Sequence, residues 1–331
     1  MGLTHLRGWL ILPDVELVAV ASDDAKALAG DLSGVQGNLG GSGESFDFSG
    51  VRKYASAFDC VRDPEVDAVD LCLPTHLHAP VALAALDAGK HVLVEKPMAL
   101  DGAECDNLLA AAQRAGRVLM AAHVLRFFPA YQPLLESVAS KRFGALQMAV
   151  FRRRCAAPAW SAWLADRKQS GGGVFDLLIH DFDIALACFG MPEAVTAWGI
   201  EDLSRGIDLM TAQLHYAAIP SVTVTGGWHH PKSYPFSMEY TVSGENGTLE
   251  YSSAGREPAF YCVDGSEQVE VLAAVDGYHA EIAYFAECCR TGAMPERCSP
   301  ESSMLAVRLA SWADESRRRK GAPVACRITA S

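Results

Sequence analysis

Residues 63–100 read DPEVDAVDLCLPTHLHAPVALAALDAGKHVLVEKPMAL, and their order decides the fold. Val66 to Pro74 is a short, nearly continuous apolar run, as a strand buried on both faces requires. After the Pro74-Thr75 turn, HAPVALAALDAG has helical spacing and stops at Gly89, a natural left-handed cap. KHVLVEKP is the next strand, ended by Pro97. Asp101 and Glu104 then form a capping box for a helix that runs to Ala115 and closes at Gly116. RVLMAAH is a further strand. Strands separated by helices of this length imply right-handed crossovers and a parallel, doubly wound sheet.

The same pattern extends upstream but is incomplete. In MGLTHLRGWLILPDVELVAVASDD a helix (Leu3 to Leu12) enters a strand (Val15 to Ala21) that ends in acidic residues. No strand precedes that helix, and only Gly2 stands at its start. Ligands of doubly wound sheets bind beyond the carboxyl ends of the strands. Here those ends carry Pro74-Thr75-His76, Glu95-Lys96-Pro97 and His123. The glycine- and serine-rich segment from Gly30 to Gly50 follows no strand and lacks a GK[ST] ending, so it is expected to be a flexible surface connection rather than a phosphate loop.

The chain has 331 residues, enough for two domains, and half of them are hydrophobic. A net charge of -12 argues against nucleic acid and anionic membranes as partners. The ten cysteines contain no CxxC pair and no zinc-spaced cluster, so no metal site is expected. No secretory signal and no apolar run of about 18 residues is evident, which points to a reducing cytoplasm.

Beyond residue 123 the period changes. DLMTAQLHY alternates Met210, Ala212, Leu214 and Tyr216 with polar residues, and FSMEYTVSG does the same with Phe236, Met238, Tyr240 and Val242. Such alternation marks antiparallel strands with one buried face, and Gly244 to Thr248 supply a hairpin turn. The expected organisation is an α/β domain over 1–123 and an α+β domain with an open, mainly antiparallel sheet over 124–331. Two helices, about Asp276 to Thr291 and Pro300 to Lys320, pack back on the body. The RRRK run at 317–320 suits the negative end of the last helix dipole.

Two constellations carry chemistry. Lys96, fixed between a carboxylate and a proline at a strand end, suits proton exchange or hydrogen bonding to a substrate oxygen, or a strand-edge ion pair with Glu95. In SGGGVFDLLIHDFDIALACFG a helix starts at the glycines, Asp176 and His180 share a face, and Asp183 follows three residues later. A histidine and a carboxylate on one rigid face suit proton abstraction from a hydroxyl; a satisfied surface histidine is the plainer alternative. Leu177, Ile184 and Leu186 are expected in the core.

Taken together, these stretches resemble the glucose-fructose oxidoreductase and inositol dehydrogenase (Gfo/Idh/MocA) family. The matching blocks are residues 63–100, AAHVLRFFPAY, GGGVFDLLIHDFD, YTVSGENGTLEY and YHAEIAYFAECCRTG, in that order over nearly the whole chain. The resemblance implies a Rossmann domain, a C-terminal open-sheet domain through which the chain forms homodimers or homotetramers, and NAD or NADP acting on a sugar, inositol or related polyol. It implies a catalytic group of Lys96, Asp176 and His180: His180 as general base, Lys96 polarising the substrate oxygen and Asp176 orienting the substrate. Pro74, Thr75 and His78 match a cofactor-side stretch in which Thr75 replaces the common asparagine. Glu95, Lys96 and Pro97 also line the cofactor, Arg126 matches an arginine near the nicotinamide, and His123, Trp163 and Lys168 edge the substrate. Trp228, His229 and His230 fit either a substrate contact or an aromatic loop at a subunit interface.

The cofactor end departs from the family pattern. Of its strand and GxGxxG turn, only the last glycine and a following histidine are matched, by Gly2 and His5. Ser22 occupies the usual ribose-binding acidic position with Asp23 beside it, and Asp23 favours NAD over NADP by repelling a 2'-phosphate. Two functions remain open at this point: a dehydrogenase whose Met1 is an internal methionine of a longer frame, or a non-catalytic, ligand-sensing relative with impaired dinucleotide binding.

Overall fold

A computed structural model describes residues 1–34, 43–159 and 161–328. The chain forms two compact units, Met1–Val124 with Asp276–Glu301, and Leu125–Val275 with Ser302–Ser331. Residues 276–301, expected with the second domain, therefore group with the first unit. The reason is visible at the first helix, Gly2–Leu10, which packs along the helix Gly277–Thr291. Gly8 allows the approach, because a Cβ there would lie 2.5 Å from Ile282 Cδ1. Trp9 meets Phe285 edge to face at 6.1 Å between centroids.

In the first unit the strands are β1 (Ala19–Ala21), β2 (Arg52–Tyr54), β3 (Ala68–Leu71), β4 (His91–Glu95) and β5 (Leu119–Ala122). All pairings are parallel, as the alternating strand and helix pattern requires. They do not form one sheet: β1 pairs β2, and β3-β4-β5 form a separate sheet. The strands expected over Val15–Ala21 and Val66–Pro74 are shorter than their apolar runs, and among the described residues β1 is paired only with β2 and β3 only with β4. β4 and β5 are buried along nearly their whole length. Asp101 caps the helix Gly102–Ala115 by accepting from the Glu104 amide at 2.9 Å, Glu104 accepts from the Leu100 amide, and Gly116 ends the helix with φ 60°. Of the glycine- and serine-rich connection, 35–42 lie outside the described residues; a bridge pairs Asp31 with Ser45 at its ends.

The second unit is built on β6 (Leu146–Ala156), β7 (Ala194–Asp202), β8 (Ile207–His215), β9 (Ser221–His230), β10 (Ser237–Gly244), β11 (Gly247–Ser252), β12 (Arg256–Cys262), β13 (Glu267–Val269) and β14 (Val324–Ala325). They form one sheet in the order β13-β12-β11-β10-β6-β9-β8-β7-β14. Every pairing is antiparallel except β6 with β9. The two-residue period holds in β8, where Met210, Ala212 and Leu214 are buried between more exposed neighbours; in β10 Met238, Tyr240 and Val242 are buried, but so are Ser237 and Glu239, the latter paired with Arg152 and Arg154 of the adjacent β6. Arg317, in the basic run that ends the helix Pro300–Arg318, is buried and pairs with Asp208, Asp314 and Glu201.

Candidate active site

In the first unit the expected residues gather at the carboxyl ends of the parallel strands. His5, from the first helix, is buried between two carboxylates: its Nδ1 lies 2.8 Å from Asp70 Oδ2 and its Nε2 3.0 Å from Glu95 Oε1. The second contact is an ion pair off the line of a hydrogen bond. Trp9 Nε1 donates to the same Asp70 oxygen at 2.6 Å. Burial opposes a charge on His5, but the Cys72 sulfur and the Asp70 carboxylate outweigh it and hold the imidazole well above its usual range. Burial pushes the Cys72 thiol up to about 12, so at neutral pH carboxylates rather than a thiolate supply that field. Burial raises Glu95 too, yet the His5 imidazolium and Lys96 reverse it and bring Glu95 down to about 2.

This cluster was only half legible from spacing. Sequence neighbours show no metal-like set, whereas the fold brings donor atoms of His5, Asp70 and Cys72 within 4.8 Å of one another. The chemistry is that of an ion network: the thiol keeps its proton and Asp70 is engaged by both His5 and Trp9. The signal for Asp70 was present in the sequence, since a carboxylate inside the apolar run VDLCLP needs a buried partner.

His78 braces the turn that presents Lys96. Its Nδ1 and Nε2 lie 2.8 Å from the carbonyl oxygens of Pro97 and Leu73, tying together the ends of β3 and β4. Burial lowers its pKa more than the two carbonyls raise it, so the neutral ring donates to one of them. The Lys96–Pro97 peptide is cis, and the Lys96 amide donates to Glu95 Oε2 at 3.0 Å. Lys96 itself is half-buried; Thr75 and His123 are buried at the ends of β3 and β5. Ser22 and the exposed Asp23 follow β1. Ser22 Oγ accepts from the Asp24 amide, and Asp24 caps the helix Ala25–Leu28.

These residues fit a dinucleotide. The first helix opens at Gly2 with no side-chain cap and no acidic residue in its first turn; the Thr4 and His5 amides donate to the Met1 carbonyl, which leaves those of Gly2 and Leu3 for an anion. The Asp23 carboxylate stands at the end of β1, where a ribose hydroxyl can donate to it.

In the second unit the chemistry lies on one helix. Gly171 and Gly172 take φ 76° and 80°, and a Cβ on Gly172 would lie 2.5 Å from Asp208 Oδ2. Gly173 opens a π-helical turn, Val174–Leu178, that runs into the α-helix Ile179–Phe189. The expected regular helix is thus wider in its first turn, a form common where a side chain is re-aimed. From Gly171 to Leu186 every residue is buried except Asp176 and His180. Leu177, Ile184 and Leu186 are in the core as expected.

Two buried arginine pairs fix this helix. Arg126 donates from Nε and Nη2 to Asp183 at 2.9 and 2.7 Å, and Arg153 of β6 donates to Asp181 at 2.8 and 3.2 Å. Arg126, expected beside the nicotinamide, therefore has its guanidinium fork on the helix that carries His180. Burial raises Asp181, and Arg153 offsets part of that rise. Arg153 and Asp181 escaped sequence reasoning, since nothing local joins positions 28 apart.

Trp163 is half-buried against a cluster of Cys155, Leu164, Leu177 and Trp228, while Lys168 is exposed on the short helix Arg167–Ser170. Trp228 is a core residue near the end of β9 rather than part of a loop. His230 stacks on Tyr234 at 3.8 Å.

Residues 1–123 match the model of an oxidoreductase family with an NAD-binding Rossmann fold, and residues 131–250 match the GFO/IDH/MocA C-terminal domain. The chain belongs to the GFO/IDH/MocA family. It is 37% identical over 134 residues to a 1,5-anhydro-D-fructose reductase of Ensifer adhaerens, covering 40% of each chain. It is 29% identical over 263 residues to D-xylose 1-dehydrogenase (NADP(+)) 2 of Haloferax volcanii, covering 77% of this chain and 79% of that one. The chain spans about half the length, or less, of most of the curated relatives it matches. In fold it matches an oxidoreductase domain protein of Kribbella flavida, with a TM-score of 0.83 at 18% identity over 99% of this chain and 96% of that one.

Proposed function

We propose that this family member is an NAD(P)-dependent oxidoreductase that moves a hydride between a nicotinamide and the CH–OH carbon of a sugar, inositol or related polyol. The observation that carries the reading is the pair Asp176 and His180, left accessible on a helix otherwise buried from Gly171 to Leu186 and clamped by two arginine–carboxylate pairs. A rigid base with one accessible face is what proton abstraction from a hydroxyl needs.

In this reading His180 takes the hydroxyl proton and Asp176 accepts a hydrogen bond from a neighbouring substrate hydroxyl, while the role proposed for Lys96, at the end of β4, is to donate a hydrogen bond to a substrate oxygen. Bound NAD or NADP supplies the hydride acceptor. Gly2, Ser22, Asp23, Pro74, Thr75 and His78 stand on the cofactor side, with Asp23 tilting the choice toward NAD. His5 and Glu95 hold the cofactor side together as an ion network, Pro97 ends the strand that carries Lys96, and Arg126 acts through Asp183. His123, Trp163 and Lys168 border the substrate. The relatives that act on sugars support this substrate class. A panel of aldoses, inositols and polyols assayed with NAD and with NADP tests the proposal; turnover of none of them with either cofactor would overturn it.

The chain is also proposed to act as a homodimer or homotetramer through the large sheet, and in the cytoplasm. Trp198 and Ile200 on β7 are more than half exposed, as an interface strand would be. All ten cysteines are free, and no helix among the described residues is long and apolar enough to cross a membrane. A second reading, a ligand-sensing relative with weak dinucleotide binding, draws on the division of the parallel strands into two sheets. Titration with NADH followed by fluorescence separates the two readings, since micromolar binding excludes the second.

A further inference from the structure

We propose that Asp208 is a positioning residue of the candidate site: from β8 its carboxylate caps the amino end of the π-helical turn and so sets where Asp176 stands. The proposal rests on the reading above, in which Asp176 orients the substrate.

The strand pattern singles Asp208 out. In IDLMTAQLH the buried phase is Asp208, Met210, Ala212 and Leu214, so a carboxylate occupies a core position of β8. An ionised carboxylate there needs partners for both oxygens. Oδ1 has the Arg317 guanidinium, and Oδ2 accepts from the Val174 amide at 3.4 Å. The Gly173 amide donates to the same carboxylate. These two amides open the turn Val174–Leu178, where the leading N–H groups lack partners within the helix and the helix dipole favours negative charge. Gly173, at the cap position, has no side chain to serve them. Asp208 supplies both the acceptor and the charge from a neighbouring strand.

The glycines admit it. A Cβ on Gly172 would lie 2.5 Å from Asp208 Oδ2, and one on Gly173 would lie 3.3 Å from Asp208 Cβ. The missing side chains of this motif thus make room for a carboxylate of the protein itself.

Asp208 is held in turn. Arg317 also pairs with Glu201 and Asp314, at 2.8 and 2.6 Å. Arg167 pairs with the same two acids, and it begins the short helix that carries Lys168. One ion network therefore anchors both the turn that bears Asp176 and the turn that bears Lys168, with only Gly171–Gly173 between them. Asp176 stands two residues beyond Val174, so a displacement of the cap is carried to its carboxylate, and a misplacement of about 1 Å is enough to slow a reaction markedly.

The test is a double-mutant cycle on the whole chain with the best substrate of the polyol panel: native, Asp208→Asn, Asp176→Asn and the two together. Turnover by the native chain judges the reaction itself, and the cycle judges Asp208. Asp208→Asn is expected to lower kcat/KM for the polyol about tenfold or more, with NADH binding unchanged. In the Asp176→Asn background it is expected to cost less than about threefold, since the two residues act through one contact. A merely structural role gives the same fold loss in both backgrounds, and that result overturns the proposal, as does a folded Asp208→Asn chain with native kcat/KM. If Asp208→Asn does not fold, Gly173→Ala takes its place in the cycle, because its φ of −64° suits any residue and its Cβ presses the turn off Asp208. Amide exchange tests the cap without turnover: faster exchange at positions 173 and 174 in the variant is expected, and unchanged exchange there overturns it.

Discussion

Arg126 donates from both Nε and Nη2 to Asp183, and through that buried pair it fixes the helix on which His180 stands. Removing one partner leaves an uncompensated charge in the core, which costs about 3–5 kcal/mol. Asp183→Asn is expected to lower the stability of the second unit by that amount in denaturant unfolding. Arg126→Met together with Asp183→Leu, which removes both charges, is expected to recover most of the loss.

The His5 network gives the first unit a defined pH response. Glu95 is held at about 2 against an ordinary 4.5, so its contribution is complete above about 4.5 and is lost as the pH falls toward 2. His5 is raised, so its contribution is complete below its ordinary 6.5 and is lost as the pH rises through its elevated folded value. Stability profiles by urea unfolding at successive pH values are expected to show both flanks. Glu95→Gln is expected to flatten the acid flank, and an unaltered acid flank would refute the assignment.

Gly172 cannot be replaced cheaply. Its φ of 80° disfavours any side chain by about 1–2 kcal/mol, and a Cβ there would press on Asp208, which also holds Arg317. Gly172→Ala is expected to lower the melting temperature by several degrees, a larger shift than Gly190→Ala, where a Cβ meets nothing within 4 Å. Differential scanning calorimetry of the two variants decides this.

His78→Ala would strand the carbonyl that its ring serves between Leu73 and Pro97, a loss of about 1–3 kcal/mol. The Lys96 turn loses its brace with it. Faster amide exchange confined to 95–98 and 73–75 is the expected local signature.

What the sequence made legible was local. The strand runs of β3, β4 and β5, the Asp101 cap, the Gly116 stop and the two-residue period of β8 each rest on neighbouring residues, and each is present in the fold; the period expected of β10 is not, since Ser237 and Glu239 are buried with the apolar face. The accessible pair Asp176 and His180 was legible for the same reason. What escaped were relations between distant positions: Arg153 with Asp181, Asp70 with His5 and Trp9, and the packing of Gly277–Thr291 on the first helix. An apolar helix face declares that it will be covered, but not by what. The π-helical turn also escaped, since its widening answers to packing around Gly173 rather than to a residue pattern.

The central claim is that His180 removes a proton from a substrate hydroxyl during cofactor reduction. The direct measurement is the absorbance of NADH or NADPH produced by the native chain and by His180→Asn, with the best substrate of the polyol panel. The variant is expected to lose about 10²- to 10⁴-fold in kcat, with cofactor binding by fluorescence unchanged. A His180→Asn enzyme that keeps its rate within a few-fold would contradict the account.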